Sequence, residues 1–204
     1  IEPINVFANS FRPGETPEEA VLLNGNDYLT GSSGTEVLFG FGGNDEMFGY
    51  AGIDALHGGT GNDKLTGGAD ADDLYGEEGN DTIVGYTTGD FIDGGADFDT
   101  WALTGVYSQG LGLSPQIDYR AVNFFNIEAI KITYGDIVLN SNQVGGTSTV
   151  QTIYAGSIYR DSLIVSLVPG GSLDLANVNF VDWNNYSGEF DLITLIGSSG
   201  ADLI

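Results

Sequence analysis

Acidic residues recur at a fixed spacing of nine along the first half of this 204-residue chain. The series is Asp27, Glu36, Asp45, Asp54, Asp63, Asp72, Asp81, Asp90 and Asp99. Carboxylate oxygens are the ligands that hard divalent cations, above all calcium, prefer in proteins. Because only about one residue in seven is acidic, nine consecutive hits have a chance probability on the order of one in ten million. The series therefore predicts a repeated cation site.

Two other residue types follow the same nine-residue unit, in which the acidic residue is the sixth. Glycine opens the units at 31, 40, 49, 58, 67, 76, 85 and 94, and an apolar residue is always the eighth, from Leu29 to Trp101. Glycines at the first, second and fourth positions allow backbone conformations that bring carbonyl oxygens close to an ion. A short strand turns alternate side chains to opposite faces, so the eighth residue points inward. Each unit therefore predicts one loop and one strand.

Two units complete one turn of a solenoid, which places each loop over the loop eighteen residues away and leaves room for an ion between them. The first stack of loops contains Asp27, Asp45, Asp63, Asp81 and Asp99, and the second contains Glu36, Asp54, Asp72 and Asp90. The first stack has four gaps between loops, and the second has three. Residues 24–102 hold sixteen acidic residues against Lys64, a net charge of −15, and seven divalent ions would supply +14. This match favours binding over a solvated acidic surface.

The clearest units read GFGGNDEMF from Gly40, GGTGNDKLT from Gly58 and GEEGNDTIV from Gly76. They resemble the nonapeptide repeat of the RTX, or hemolysin-type, family of secreted calcium-binding proteins. The resemblance covers residues 22–102 and resumes in GSSGADLI from Gly197. It implies an all-β fold, a right-handed parallel β-roll or β-solenoid with calcium-binding loops, followed by an irregular β-rich segment.

The predicted calcium ligands combine the sixth-position carboxylates with loop residues. They are Asp27, Glu36, Gly40, Gly42, Gly43, Asp45, Gly49, Gly52, Asp54, Gly58, Thr60, Gly61, Asp63, Gly67, Ala69, Asp72, Gly76, Glu78, Gly79, Asp81, Asp90, Gly94, Ala96 and Asp99. Several Ca²⁺ ions, up to about seven, are expected in the repeat block.

Departures from the repeat concentrate in the second stack. There Glu36 replaces aspartate, Asp70 and Thr88 replace the fourth-position glycine, and Gly89 is displaced. In the first stack Asp97 replaces the fourth glycine of the last unit, and Leu22 and Leu23 replace glycines in the first. We therefore expect a weaker second stack and incomplete sites at the ends.

Composition narrows the class of protein. Acidic residues outnumber basic ones by 29 to 5, and a charge of −24 repels nucleic acid and anionic membranes. The absence of cysteine excludes disulfides and thiolate metal sites. No run approaches eighteen apolar residues, and the first ten residues do not resemble a signal peptide. A start without methionine and an end inside a repeat predict a fragment of a longer protein.

Four segments are predicted. Residues 1–21 are an N-terminal linker or edge segment, 22–102 the calcium-binding β-roll, 103–190 a β-rich spacer or flanking segment, and 191–204 the start of a further repeat block. Strand-like apolar runs in the second half are 121–134, 137–140, 149–155, 162–168, 173–183 and 190–196.

No catalytic residue is predicted. His57 is the only histidine, and it occupies an outward ninth position. We therefore interpret it as a surface residue rather than as part of a catalytic triad or a zinc site. Three later acidic residues could pair as glycosidase carboxylates, but their spacing does not distinguish them from solvated loop residues. They are Asp182, Glu189 and Asp191. Three aromatic residues could stack on a sugar ring, but aromatic residues in a β-rich segment are more often packing residues. They are Tyr107, Trp183 and Tyr186.

The RTX resemblance implies a non-enzymatic calcium-binding structural module of a bacterial protein exported by type I secretion. Such a module stays open at submicromolar cytosolic calcium and folds at the millimolar calcium outside the cell, so the expected location is extracellular or the cell surface. Two alternatives stay open: a calcium-dependent polysaccharide-binding or adhesion module, and a non-catalytic part of a secreted polysaccharide-modifying enzyme.

Overall fold

A computed structural model of the protein describes residues 5–7, 24–85, 87, 89–103, 117–132, 135–140, 143–144, 150–155, 161–166, 176, 178–181 and 192–196. Within these ranges there is no helix long and apolar enough to cross a membrane, and the regular structure is strand. The chain divides into two compact units, Ile1–Trp101 with Val122–Ile127, and Ala102–Ala121 with Glu128–Ile204.

The strands are short and follow one another closely along the chain. Their bounds are β1 Asn5–Phe7, β2 Tyr28–Thr30, β3 Val37–Phe39, β4 Glu46–Ala51, β5 Ala55–Thr60, β6 Lys64–Ala69, β7 Asp73–Glu78, β8 Thr82–Val84, β9 Phe91–Ala96, β10 Thr100–Leu103, β11 Ile117–Asp118, β12 Asn123–Phe125, β13 Ala129–Ile132, β14 Gly135–Asn140, β15 Thr152–Ala155, β16 Asp161–Ser166, β17 Asn179–Val181 and β18 Leu192–Ile196.

Parallel pairing in the first unit advances by a constant eighteen residues through the repeats. Strands β2, β4, β6, β8 and β10 pair in this order, with Met47 opposite Leu65. Strands β3, β5, β7 and β9 pair in the same way, with Leu56 opposite Leu74. Successive repeats thus alternate between two sheets. This arrangement confirms the predicted parallel β-roll with two repeats to a turn.

One apolar side chain from each repeat fills the interior of this unit. The eighth-position residues are at most 5% exposed: Leu29, Leu38, Met47, Leu56, Leu65, Leu74, Ile83, Ile92 and Trp101. The Trp101 Nε1–H group donates to the Gly85 carbonyl at 3.1 Å, so its polar atom is satisfied inside the core. A core of one side chain per nine residues is thin, so the stability of the unit depends also on its loops.

A non-repeating strand extends the second sheet of this unit. Strand β12 pairs with β9, and the Asn123 N–H group donates to the Asp90 carbonyl at 3.1 Å. The Phe124 ring packs on Trp101 with 4.9 Å between centroids. The sequence prediction assigned these residues to the spacer segment, and the pairing shows a role that the nonapeptide period does not reveal. The four segment boundaries stay predictions.

The second unit also consists of parallel strands, but without a constant period. Strands β13, β15 and β17 pair in one sheet and β11, β14, β16 and β18 in another. Ile117 pairs with Ile137, Ile130 with Ile153, and Ile164 with Thr194, which are separations of 20, 23 and 30 residues. Its buried side chains include Ile130, Ile137, Ile153, Leu163 and Val165.

Candidate metal centre

The sixth-position carboxylates form two ladders along the loops of the first unit. After the first carboxylate of each stack, Asp27 or Glu36, every aspartate accepts a hydrogen bond at Oδ1 from the backbone N–H of the equivalent residue eighteen positions earlier. The first stack has four such bonds of 2.7–2.8 Å, and the second has three of 2.8–3.1 Å. The structure therefore brings the predicted carboxylates together in the two stacks that the sequence predicted.

In five of these carboxylates the second oxygen lies inside the loops without a hydrogen-bond partner among the described residues. Oδ2 of Asp45, Asp54, Asp63, Asp72 and Asp81 is buried and receives no hydrogen bond from any residue that the structure describes. A buried acceptor that loses its water without a replacement costs about 1–3 kcal/mol, and more when it is charged. A cation held between the loops would remove this cost, so the residues present fit one.

Burial also makes these carboxylates difficult to ionise. It is the main cause that raises the pKa of Asp45 and Asp72 to about 7 and that of Asp81 to about 6. The hydrogen bond from the preceding loop lowers each pKa, and the charges of neighbouring acids raise it further. The pKa values of Asp54 and Asp63 are raised for the same main reason. The folded loops thus disfavour ionised carboxylates unless a bound divalent ion compensates their negative charge.

The first-position glycine makes room for the carboxylate of its own loop. A Cβ added at Gly49 or Gly67 would lie 2.6 or 2.5 Å from Oδ2 of Asp54 or Asp72, below the 3.0 Å that real Cβ atoms keep. Gly40, Gly58 and Gly76 stand in the same relation to Asp45, Asp63 and Asp81. A side chain at this position would displace the buried oxygen.

The fourth-position glycine allows a carbonyl group of one loop to approach the next loop. Gly61 has a φ of +127°, and a Cβ there would lie well inside 3.0 Å of the Gly43 carbonyl oxygen. Gly79 has the same relation to the Gly61 carbonyl. Stacked carbonyl oxygens of this kind suit calcium, which takes six to eight oxygen ligands.

Side chains alone do not complete a metal site. In the described residues no group of three or more His, Cys, Asp or Glu side chains is placed to hold a metal ion. An ion held here would therefore take most of its ligands from backbone carbonyls. The third-position carbonyls of Thr60, Glu78 and Ala96 already accept N–H groups of the preceding loop at 2.8–3.3 Å, and each keeps a second lone pair.

The two terminal carboxylates of the second stack are directed into their own loops. Glu36 accepts the Ser32 N–H group at 3.0 Å and its hydroxyl at 2.5 Å. Asp90 accepts the Thr87 N–H group at 3.0 Å and its hydroxyl at 2.5 Å. Both contacts occupy oxygens that would otherwise face an ion.

Aspartate at the fourth position keeps the loop conformation of glycine. Asp70 and Asp97 have φ values of +76° and +81°, in the left-handed region. The Asp70 Oδ2 atom also accepts the Gly52 N–H group at 3.3 Å. The substitution therefore keeps the backbone in the left-handed region, which aspartate adopts at a smaller cost than most residues with a Cβ.

The sequence analysis assigned no role to the fifth position of the repeat. Asn26, Asn44, Asn62 and Asn80 occupy it in the first stack, and each accepts at Oδ1 the backbone N–H of the residue eighteen positions later, at 2.8–2.9 Å. The available signal was the recurrence of asparagine every eighteen residues.

The residues set aside as catalytic or sugar-binding fall into two groups. His57 lies on the outer face between the rings of Phe39 and Tyr75, at centroid distances of 4.8 and 4.7 Å, and its Nδ1 is 2.9 Å from Glu77 Oε1. Asp182, Glu189, Asp191, Tyr107, Trp183, Tyr186 and the run from Gly197 lie outside the described residues.

Comparison with known proteins bears on the repeats alone. The family model of the RTX calcium-binding nonapeptide repeat, which spans four copies, matches residues 23–56, 48–83 and 70–100. Neither a curated protein nor a solved structure matches the chain. The matched ranges contain every carboxylate of the two ladders.

Proposed function

Residues 23–100 belong to the RTX calcium-binding nonapeptide repeat family, and from this premise we propose a module that folds when calcium fills its loops. The repeats are a non-catalytic, calcium-binding structural element. Each gap between stacked loops takes one Ca²⁺ ion, so the four gaps of the first stack and the three of the second take up to about seven.

One observation carries this proposal: buried Oδ2 atoms in consecutive loops without a hydrogen-bond partner among the described residues. The sixth-position carboxylates would hold the ion together with carbonyl groups of the predicted loop residues. The ion supplies the positive charge that lets several carboxylates stay ionised inside a folded loop. Without it, the thin core has to stabilise the unit against the repulsion of sixteen acidic residues in 24–102.

Calcium dependence would tie folding to location. At the submicromolar calcium of a cytosol the acidic loops repel one another, and the chain stays open for type I secretion. At millimolar calcium outside the cell the sites fill, and the module folds at the extracellular or cell-surface location. Residues 103–190 and 191–204 would then be a spacer and the start of a further repeat block, in a protein region without enzymatic activity.

Calorimetric titration with calcium, followed in parallel by circular dichroism, tests the proposal. We expect about seven bound ions per chain and a gain of β structure that coincides with binding. A matched control titration with Mg²⁺ should give little binding, because Mg²⁺ retains its water and requires stricter octahedral geometry. A chain that binds no calcium, or that binds it without structural change, would contradict the proposal.

A polysaccharide-binding role receives less support from the described residues. The outer face of the β-roll carries a row of rings, Phe39, His57 and Tyr75. The planes of Phe39 and His57 are within 16° of parallel, and those of His57 and Tyr75 within 10°. Rings that cover each other's faces leave little face for a sugar. A glycan array read with and without calcium separates this alternative from a purely structural module.

A further inference from the structure

The four residues Asn26, Asn44, Asn62 and Asn80 form a column beside the carboxylates of the first stack, which we name the asparagine column. The Oδ1 atom of each accepts the backbone N–H of the next loop: Asn44, Asn62, Asn80 and finally Phe98. Every gap of the first stack is therefore crossed by one bond from this column.

The asparagine bonds run opposite to the carboxylate bonds. In the gap between Asp63 and Asp81, the Asp63 N–H group donates forward to Asp81 Oδ1 at 2.7 Å. One residue earlier, the Asn80 N–H group donates backward to Asn62 Oδ1 at 2.9 Å. Adjacent loops are thus connected in both directions at neighbouring positions. Such a pair fixes both the separation and the register of the two loops.

The second stack does not have the chemistry for such a column. Its fifth positions are Thr35, Ile53, Ala71 and Gly89, and the last three carry no side-chain oxygen. Ile53 is 59% exposed, so its side chain points away from the core. The gap between Asp54 and Asp72 has the carboxylate bond, 2.9 Å from the Asp54 N–H group to Asp72 Oδ1, and a longer bond of 3.3 Å from the Gly52 N–H group to Asp70 Oδ2. Both bonds are donated forward along the chain, so this gap has no backward bond of the kind that asparagine accepts.

We propose that the asparagine column is a positioning element that presets the loop separation of the first stack for calcium. The proposal rests on the calcium-binding function above. An amide side chain is neutral, so its bond forms without a cation and does not depend on the ionisation of the carboxylates. Loops that are already held together lose less conformational freedom on binding, which raises affinity without adding a ligand.

The substitution Asn62→Ala tests this in a single gap. It removes the acceptor for the Asn80 N–H group and leaves the Asn62 N–H bond to Asn44 in place. From the net value of one hydrogen bond, we expect a loss of up to about five-fold in calcium affinity between Asp63 and Asp81. The gap between Asp45 and Asp63 should keep its affinity. Crystals equilibrated at a series of limiting calcium concentrations give the occupancy of each gap.

Two variants of the second stack serve as controls. Ile53→Ala changes an exposed fifth position that has no acceptor, and calcium affinity should stay unchanged. Ile53→Asn introduces an acceptor for the Ala71 N–H group, and the gap between Asp54 and Asp72 should gain about as much affinity as Asn62→Ala loses elsewhere. This gain keeps the proposal testable even if Asn62→Ala fails to fold.

The outcomes separate the two proposals. A wild-type chain that binds no calcium overturns the proposed function and the column's role with it. A wild-type chain that binds calcium, combined with an Asn62→Ala loss spread equally over all gaps, shows that asparagine supports only the fold. Unchanged occupancy in Asn62→Ala, or no gain in a folded Ile53→Asn variant, also overturns the positioning role.

Discussion

Each of the two stacks of loops has a carboxylate ladder of the same design, and the stacks differ in the residues that surround it. In the first stack, the gaps on both sides of Asp63 have buried Oδ2 atoms without a described partner on both carboxylates. In the second stack, only the gap between Asp54 and Asp72 has such an Oδ2 atom on both carboxylates. In the other two gaps one carboxylate is hydrogen-bonded within its own loop, Asp90 to Thr87 and Glu36 to Ser32. The strands set the ladder in both stacks, and the loop residues determine how well each gap can hold an ion.

This difference separates two tasks of a nine-residue repeat. Each strand begins at the seventh residue, and β4 to β7 and β9 continue to the third residue of the next repeat. The register is the same in both sheets, eighteen residues from Met47 to Leu65 and from Leu56 to Leu74. The fourth to sixth residues lie between the strands and supply the carboxylates, and they vary between the stacks. A repeat with altered loop residues can therefore continue the fold while binding calcium more weakly.

Removal of calcium should have the largest effect, because it affects both stacks together. In excess chelator we expect the chain to lose most of its β structure and to regain it cooperatively at roughly 0.1–1 mM calcium. Cooperativity follows because each loop closes only against a neighbouring filled loop. Circular dichroism against calcium concentration measures it. A β spectrum that is complete in chelator would remove the need for calcium in either stack.

Asp63→Ala should be among the most damaging single substitutions. Its Oδ1 accepts the Asp45 N–H group at 2.8 Å, and its carboxylate belongs to two gaps. The variant should bind about two ions fewer and leave a buried N–H group unsatisfied, at about 1–3 kcal/mol.

Asp27→Ala is the matched control for Asp63→Ala, because Asp27 lies at the end of the same stack. It should lower the stoichiometry by about one ion. Calorimetry of both variants measures the difference. Equal losses would show that ions do not lie between neighbouring loops.

A change of pH should alter the stability of the calcium-free protein, because both stacks contain buried carboxylates with a raised pKa. Burial raises the pKa of Asp45 in the first stack and of Asp72 in the second to about 7, from an ordinary value of 3.8. Between these values the folded chain binds more protons than the unfolded chain, so stability falls as pH rises. Calcium-free protein should thus gain β structure as pH falls from 8 to 5.

Circular dichroism in excess chelator at several pH values measures this gain. Because burial raises the pKa of carboxylates in both stacks, the transition should not separate into two steps. A calcium-free chain that is most structured at pH 8 would show that the carboxylates are not buried as described.

The repeating part of the fold was predictable because every repeat has the same pattern of glycine, acidic and apolar residues. The burial of Leu56 and Leu74 follows from the alternation of a strand, and the eighteen-residue register follows from two repeats to a turn. The second unit contains no such period, and separations of 20 to 30 residues prevent the pairing of its strands from being read from spacing. Its parallel pairs therefore had to come from the structure.

The candidate site was predictable in outline but not in its local hydrogen bonds. The carboxylate stacks follow from composition and period, whereas the contacts of Glu36 with Ser32 and of Asp90 with Thr87 depend on the path of individual loops. The pairing of β12 with β9 also lies outside the repeat pattern. Such contacts join residues whose chemistry is ordinary and whose proximity no motif encodes.

The smallest expected effect is the order in which the stacks fill. The gaps from Asp45 to Asp63 and from Asp63 to Asp81 combine glycine at the fourth position, free Oδ2 atoms within the described chain and the asparagine bonds. The gap from Asp54 to Asp72 has Asp70 at that position with a φ of +76°. Left-handed residues other than glycine occur in both stacks, at Phe41 and Glu77 in the first and at Asp70 in the second. The lack of an asparagine bond is therefore the difference that should make this gap fill later, at several-fold higher calcium.

Crystals grown at limiting calcium should thus show higher occupancy beside Asp63 than between Asp54 and Asp72. Asp70→Gly, which restores the repeat, is the sharpest variant, because it relieves the left-handed strain and also removes the bond from the Gly52 N–H group. If backbone strain sets the order, Asp70→Gly narrows the difference between the stacks. If the Asp70 carboxylate instead assists the ion by its charge, the same variant widens it. Equal occupancy in the wild-type chain, or prior filling of the second stack, would show that loop sequence does not set affinity.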